Sequence, residues 1–289
     1  AEGVGLYRTE FEYLSQAALP DEEELAERYG AVVESCPQDG VVFLVLDVGG
    51  DKYPPSLSLA HEENPFLGLR GLRLFLRHED DVAMPQFRAI MRAARKGKVK
   101  ILYPMVAGWD DLESALDLAE RARSQLEEEG FDVPDIDHGI MLEVPSAVHM
   151  LSDLLERVDF ASVGTNDLVQ YALAADRNSE RMADDYDPYH PAVLRILAYI
   201  RRVGHEAGKP VSICGESAAD THFLPVLLGL GYHRLSVNVG SVPFVKRAIR
   251  QVALDDCREL AERVLAARTR GDIHDMTDAF YDENLSDDN

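Results

Sequence analysis

The stretch GTNDLVQYALAADR, residues 164–177, follows directly on the apolar run VDFASV. A buried strand that ends by presenting Asn166 and Asp167, with Asp176 and Arg177 further on, has two readings. Asn and Asp are good helix caps and turn formers, so TND can simply start the next helix. Polar side chains delivered at a strand end can also build a site on one rim of an α/β fold. The rest of the chain bears on the choice.

Around this stretch, short apolar runs alternate with longer amphipathic ones. The predicted strands are GVGLYR (3–8), VVFLVLDV (41–48), VKILYPM (99–105), GIMLEV (139–144), FASVG (160–164), PVSICG (210–215) and RLSVNV (234–239). They show little two-residue alternation, as expected of strands covered on both faces in a parallel sheet. Helical periodicity falls at 21–36, 68–95 (as two helices), 109–129, 145–157, 167–174, 190–208, 219–229 and 241–251. The alternation fits an open doubly wound sheet or a (β/α)8 barrel. No GxGxxG or Walker-type loop follows any strand, which removes the usual mark of a nucleotide-binding open sheet. Polar residues also appear at the ends of many strands: Arg8 and Glu10, Asp47, Glu143, Asn166 and Asp167, Cys214 and Glu216. Barrel sites are assembled that way, so the expected class is α/β, a (β/α)8 TIM barrel. Seven strands are visible, which implies a first strand outside this chain or an irregular barrel. Segments at about 252–280 read as closing helices. With no linker and no internal repeat, residues 1–289 read as a single domain.

The net charge of −23 excludes the basic face that nucleic acid or an acidic membrane surface requires. The acids are dispersed along the chain, and Arg outnumbers Lys 23 to 6. Such a surface suits high salt, where screening relieves self-repulsion. There is no membrane-spanning run and no signal-peptide pattern, so a cytoplasmic location is expected. Cys36, Cys214 and Cys257 are far apart and form no metal-binding spacing.

Several residues are candidates for chemistry. Glu143 and Asp167 each lie just past a buried strand, where a carboxylate is costly unless paired, protonated or metal-bound. Two such carboxylates, with water and substrate oxygens, make a plausible Mg2+ site; alternatively Glu143 forms a salt bridge and Asp167 caps a helix. Arg8, Arg70 and Arg177 offer planar forks for phosphate and carboxylate oxygens, or pair with the surplus acids. Arg73 and Arg77 fall at helical spacing on an exposed face. Cys214 closes a strand ahead of Gly215, either as inert packing or as a general acid. Cys36 and Cys257 read as packing residues in helices, and His190 as a cap or packing residue before Pro191.

The segments GVGLYRTEFEYLS, LDVGGDK, EENPFLGLRGLRL, LYPMV, GIMLEVPSA, VGTNDLVQYALAADR and ICGESAAD occur in that order. Together they resemble the C-terminal domain of enzyme I of the bacterial phosphotransferase system, the phosphoenolpyruvate–protein phosphotransferases, from the first residues to about Arg250. The resemblance implies a dimerising (β/α)8 barrel that binds phosphoenolpyruvate with Mg2+. By matching position it implies that Glu143 and Asp167 ligate the metal. It assigns the substrate's phosphate and carboxylate to Arg8, Arg70, Asn166 and Arg177. Cys214 matches the family's cysteine that protonates the enolate of pyruvate. The phosphoryl group would pass to a histidine on a separate N-terminal phosphohistidine domain, then to the histidine-containing phosphocarrier protein.

One departure bears on the site. Where the family carries Arg-Thr before the D-GG-DK motif, this chain has Leu44 and Val45. Weaker substrate binding, a substitute cation and a degenerate regulatory subunit all follow as options. Pyruvate phosphate dikinase and phosphoenolpyruvate synthase share the barrel with its TND and CGE elements, and a Mg2+-dependent aldolase or lyase using a pyruvate enolate is a further alternative.

Overall fold

The computed structural model describes residues 1–286 except 16, 37, 51, 53 and 58–61. Asp51 of the DVGGDK motif and the end of the SDDN tail therefore lie outside the described residues.

A first compact unit comprises Ala1–Met141 with Arg157–Phe160. It runs through β1 (Val4–Arg8), α1 (Glu10–Leu14), α2 (Glu22–Glu34), β2 (Val41–Leu44), α3 (Gly71–Arg77) and α4 (Met84–Ala93). β3 (Val99–Tyr103) and α5 (Trp109–Glu128) follow, leading into β4 (Asp137–Leu142). All pairings are parallel, and the register aligns Arg8 with Leu44 and Leu44 with Leu102. Tyr7 and Phe43 pack edge to face at 5.2 Å, and Tyr29 of α2 lies 4.9 Å from Phe43. These aromatics fix one face of β1 and β2 against the helix. By strand alternation Arg8 and Leu44 take the other face.

The second unit, Leu142–Glu156 with Ala161–Asn289, holds α6 (Pro145–His149), α7 (Leu151–Leu155), β5 (Phe160–Gly164), α8 (Thr165–Leu173) and α9 (Pro191–Glu206). It continues with β6 (Val211–Cys214), α10 (Leu224–Gly229), β7 (Leu235–Ser236) and α11 (Val242–Gln251). The chain then closes with α12 (Leu254–Ala266) and α13 (Arg270–Asn284). β5 pairs β6 in parallel with Ser162 opposite Ser212 and Gly164 opposite Cys214, and β6 pairs β7. The strand order is β1-β2-β3-β4-β5-β6-β7, sequential throughout, with helix after each strand. That is the (β/α)8 barrel class, with seven strands among the described residues.

The elements depart from the sequence expectation where side chains replace ladder bonds. The run VVFLVLDV makes its last ladder bond from Val45 N to the Leu102 carbonyl at 3.1 Å, yet Leu46 and Val48 stay buried. Buried Gln86 accepts from Leu46 N at 2.9 Å and donates to Tyr29 Oη at 3.0 Å, standing in for a strand partner. The helix expected at 145–157 breaks at Met150 into α6 and α7. The one expected from 219 starts only at Leu224, because the Asp220 carboxylate accepts from His222 N and holds a turn. His190 caps α9, its Nδ1 accepting from Ala192 N at 3.1 Å. Cys36 lies beyond the end of α2 and not within a helix, whereas Cys257 is buried in α12. Arg73 and Arg77 are exposed on α3. Among the described residues, no helix is long and apolar enough to cross a membrane.

Candidate functional site

TND does not act as a helix cap. The residue at the cap position of α8 is Gly164, and no side chain caps that helix. Instead Thr165 Oγ1 donates to the Cys214 carbonyl at 3.2 Å, and Asn166 Oδ1 accepts from Glu216 N at 3.0 Å. Gly215 adopts φ +109° between them. A Cβ there would lie 2.4 Å from Thr165 Oγ1 and 3.0 Å from Asn166 Oδ1, so only glycine lets the two strand ends interlock. The TND and CGE motifs are thus two halves of one joint.

Asp167 lies in the first turn of α8 and is 7% exposed. Arg177 Nη1 donates to its Oδ2 at 3.3 Å. The return of the chain is set by Ala174, whose left-handed backbone (φ 52°) ends α8, and by Gln170, whose Oε1 accepts from Arg177 N at 3.1 Å. Glu143, just past β4, is 2% exposed. Tyr186 was missed in the sequence. Its hydroxyl donates to the Asn166 carbonyl at 3.1 Å, and burial pushes its pKa up to about 12 against the opposing pull of Arg177. Its place in a loop between helices gave no periodic signal.

Cys214 is the last residue of β6, as expected, and is 2% exposed. Its Sγ accepts from Ser162 Oγ at 3.2 Å and donates to the Val163 carbonyl at 3.3 Å. The thiol is held inside the strand pair, not displayed at the surface.

In the first unit, Arg70 precedes α3 and is 4% exposed. Its Nη2 donates to Asp47 Oδ2 at 3.2 Å, and its guanidinium lies 5.6 Å from the Phe66 ring centroid. Gly49 (φ +102°) makes this possible: a Cβ there would meet Arg70 Cβ at 2.6 Å. Gly71 N donates to the Val48 carbonyl at 3.0 Å and closes the same loop. The DVGG and LRG motifs are therefore one structural device for seating a buried guanidinium. Arg8 ends β1 with its side chain 46% exposed, its Nη1 4.0 Å from Glu10 Oε1. Lys52 Nζ donates to the same Glu10 oxygen at 2.6 Å, and Glu10 Oε2 is buried with no hydrogen-bond partner among the described residues. Leu44, which stands where the resemblance implies an arginine, is 2% exposed beside Arg8 in the register.

Glu143 and Asp167 fit Mg2+ by chemistry, since both are oxygen donors with little solvent to satisfy them. Among the described residues no group of three or more His, Cys, Asp or Glu side chains is arranged for a metal. The protein would then supply two ligands, leaving the others to water and substrate, as Mg2+ commonly accepts.

Residues 1–254 match the model of the family described as PEP-utilising enzyme, PEP-binding domain. The phosphoenolpyruvate-protein phosphotransferase of Staphylococcus carnosus is 43% identical over 281 residues, covering 97% of this chain and 49% of that protein. The Escherichia coli protein named phosphoenolpyruvate-dependent phosphotransferase system is also 43% identical, over 97% of this chain and 38% of its own length. The chain thus spans about half or less of these relatives. Among solved structures, malate synthase of Haloferax volcanii superposes with a TM-score of 0.53 at 16% identity, covering 86% of this chain and 62% of that one. A citrate lyase of Burkholderia xenovorans superposes with a TM-score of 0.50 at 16% identity, covering 89% and 78%. At these identities the two structures bear on the fold alone, and they agree with the barrel class. On the family match and the 43% relatives, the chain belongs to the PEP-utilising enzymes, as their PEP-binding domain.

Proposed function

We propose that this chain binds phosphoenolpyruvate with Mg2+ and serves as the substrate-binding half of a phosphoenolpyruvate–protein phosphotransferase. The phosphoryl group goes to a histidine on a separate N-terminal phosphohistidine domain, and from there to the histidine-containing phosphocarrier protein. The working form is a cytoplasmic homodimer. The observation that carries this reading is the TND–CGE joint, which ties the start of α8, with its buried carboxylate and that carboxylate's arginine, to the strand end that carries the thiol.

Glu143 and Asp167 would hold the metal, which supplies charge neutralisation for the phosphate and the developing enolate. Arg177, held by Asp167 and Gln170, presents a fork to the anion, and Asn166 is fixed through its Oδ1 with its amide left to donate. Arg8 and Arg70 take the phosphate and carboxylate oxygens, which suits planar guanidinium groups. Phosphoryl transfer depends on positioning and charge neutralisation more than on covalent help from the protein. The P–O bond breaks, its electron pair stays on the enol oxygen, and the phosphoryl group is taken by the acceptor imidazole. The enolate then takes the Cys214 proton at its methylene carbon and leaves as pyruvate. The thiol is 2% exposed, so direct contact with bulk water is slight at the proton-donating atom.

Isothermal calorimetry with phosphoenolpyruvate in high salt, with and without Mg2+, tests the reading. Metal-dependent binding is expected; its absence removes the proposal. A second reading rests on Leu44, whose buried apolar side chain stands beside Arg8 where the resemblance implies a cation. On that reading the chain is a regulatory subunit with a weakened site. One lost donor costs about 3 kcal/mol by analogy with an oxyanion hole, so Leu44→Arg is expected to raise affinity on the order of 100-fold. An unchanged affinity in a folded Leu44→Arg protein counts against the second reading.

A further inference from the structure

In the second unit, three side chains on one face of β5 and β6 form a directed hydrogen-bond chain. Ser212 Oγ donates to Ser162 Oγ at 3.0 Å, and Ser162 Oγ donates to Cys214 Sγ at 3.2 Å. The thiol in turn donates to the Val163 carbonyl at 3.3 Å. Ser212 also approaches the Ala161 carbonyl at 3.4 Å. The strand register produces the alignment: Ser162 is opposite Ser212, and Cys214 is two residues along the same face. Ser162 is 1% exposed and Cys214 2%, whereas Ser212 is only half-buried. The chain therefore runs from a half-buried serine to a buried thiol. Alanine at 162 would satisfy the packing of β5, whose other residues are apolar or glycine. The hydroxyl is there in addition, and its donor is aimed at sulfur.

We propose that Ser162 and Ser212 form a hydroxyl relay that positions the Cys214 thiol and returns a proton to it after each turnover. The inference rests on the reading that Cys214 protonates the enolate. In that step the S–H bond breaks, a C–H bond forms on the methylene carbon, and a thiolate remains in a site with little water. A charge so placed is costly unless a donor faces it, and the Ser162 hydroxyl is that donor. Its bond gains strength as charge develops on sulfur, so it favours the transition state over the resting thiol. Recovery is a concerted shift: the thiolate takes the Ser162 proton, Ser162 takes the Ser212 proton, and Ser212 takes one from water. One solvent proton is consumed for each pyruvate formed, and no oxidant or reductant is needed. Ser162 and Ser212 are positioning residues here, since neither reaches the substrate.

The test uses the chain with two separate readouts. The first is the rate at which methyl methanethiosulfonate labels Cys214 at mildly alkaline pH, resolved from Cys36 and Cys257 by peptide mass spectrometry. The second is Mg2+-dependent exchange of pyruvate methyl hydrogens with D2O, followed by NMR, with KM and kcat separated. Ser162→Ala is expected to slow labelling by about tenfold or more, the size of one hydrogen bond to a charged group. It should lower the exchange kcat to a similar degree with KM retained, and Ser162→Thr should restore both. Ser212→Ala should leave labelling within a few-fold while the exchange kcat falls about tenfold. Unchanged labelling in Ser162→Ala overturns the positioning role, and unchanged exchange in Ser212→Ala overturns the relay. If Cys214→Ala exchanges pyruvate as fast as the unaltered chain, or the unaltered chain exchanges none, the enolate reading itself fails and the relay with it. Slowed labelling in Ser162→Ala would then still report the hydrogen bond, which separates the two failures.

Discussion

The two compact units hold their candidate charged groups in different settings. In the first, Arg8 and Lys52 both approach Glu10, and Arg70 pairs with Asp47. In the second, the two carboxylates proposed for the metal are Glu143 and Asp167, and the Arg177 guanidinium pairs with Asp167. In each unit a candidate arginine is therefore paired with a buried aspartate, Arg70 with Asp47 and Arg177 with Asp167. The means differ. The first unit seats its arginine through glycine turns and a buried ion pair, whereas the second locks its motifs through side chain–backbone hydrogen bonds across β5 and β6. A buried ion pair is sensitive to loss of one partner, while a backbone joint tolerates changes in charge.

That contrast can be broken first at Arg70. Arg70→Ala leaves Asp47 buried without this guanidinium, and a loss of about 3–5 kcal/mol is expected in chemical denaturation. The double change Arg70→Met with Asp47→Leu should recover most of that stability while anion binding stays lost. In the second unit, Asp167→Asn keeps the shape and removes charge. Metal-dependent phosphoenolpyruvate binding should fall more than about 100-fold by calorimetry, beyond what a supporting residue costs. Its thermal stability should change far less than that of Arg70→Ala, and a comparable loss would erase the distinction between the units.

Salt provides a smaller effect. Arg88 and Arg92 join α2, α4 and the end of α5 through Glu22, Glu23 and Glu129, a network that salt weakens. Against it stands the repulsion of a −23 chain, which salt relieves. Repulsion is expected to dominate, raising Tm by several degrees at 1 M salt, on the order of 1–2 kcal/mol. A falling Tm would show that the network outweighs the net charge. The smallest effect concerns His138, whose ring accepts or donates a bond to Tyr103 Oη at 2.7 Å. Burial holds its pKa below the ordinary value. The unfolded chain then binds a proton first, so this contribution is complete above the unfolded pKa and declines as pH falls below it. His138→Gln should flatten the acid limb of the stability profile by roughly 1 kcal/mol or less, read as the difference between the two pH curves.

Much of the fold was legible along the chain because buried parallel strands are continuous apolar runs, and each of the seven appears where such a run lies. Their ends were less legible. Val45, Leu46 and Val48 are as apolar as a strand, but the side chain of Gln86, forty residues from Leu46 in sequence, takes the Leu46 N–H in place of a strand partner. α1 is a five-residue helix, too short to show a period. At the candidate site, the sequence pointed to residue types and strand ends; it left TND open between a cap and a site. Tyr186 and Ser162 were not singled out, the first because a loop has no pattern and the second because a serine in an apolar strand reads as a space-filler.

Residue order alone determined the barrel class, the strand ends that carry polar groups and the acidic surface, because hydrophobic periodicity and composition act locally along the chain. Tertiary structure alone decided that Asn166 binds the Glu216 amide, that Asp47 seats Arg70 and that Ser162 faces the Cys214 thiol. Those contacts depend on register between separate strands and on glycines that admit close backbone approach, and neither is written in any single segment.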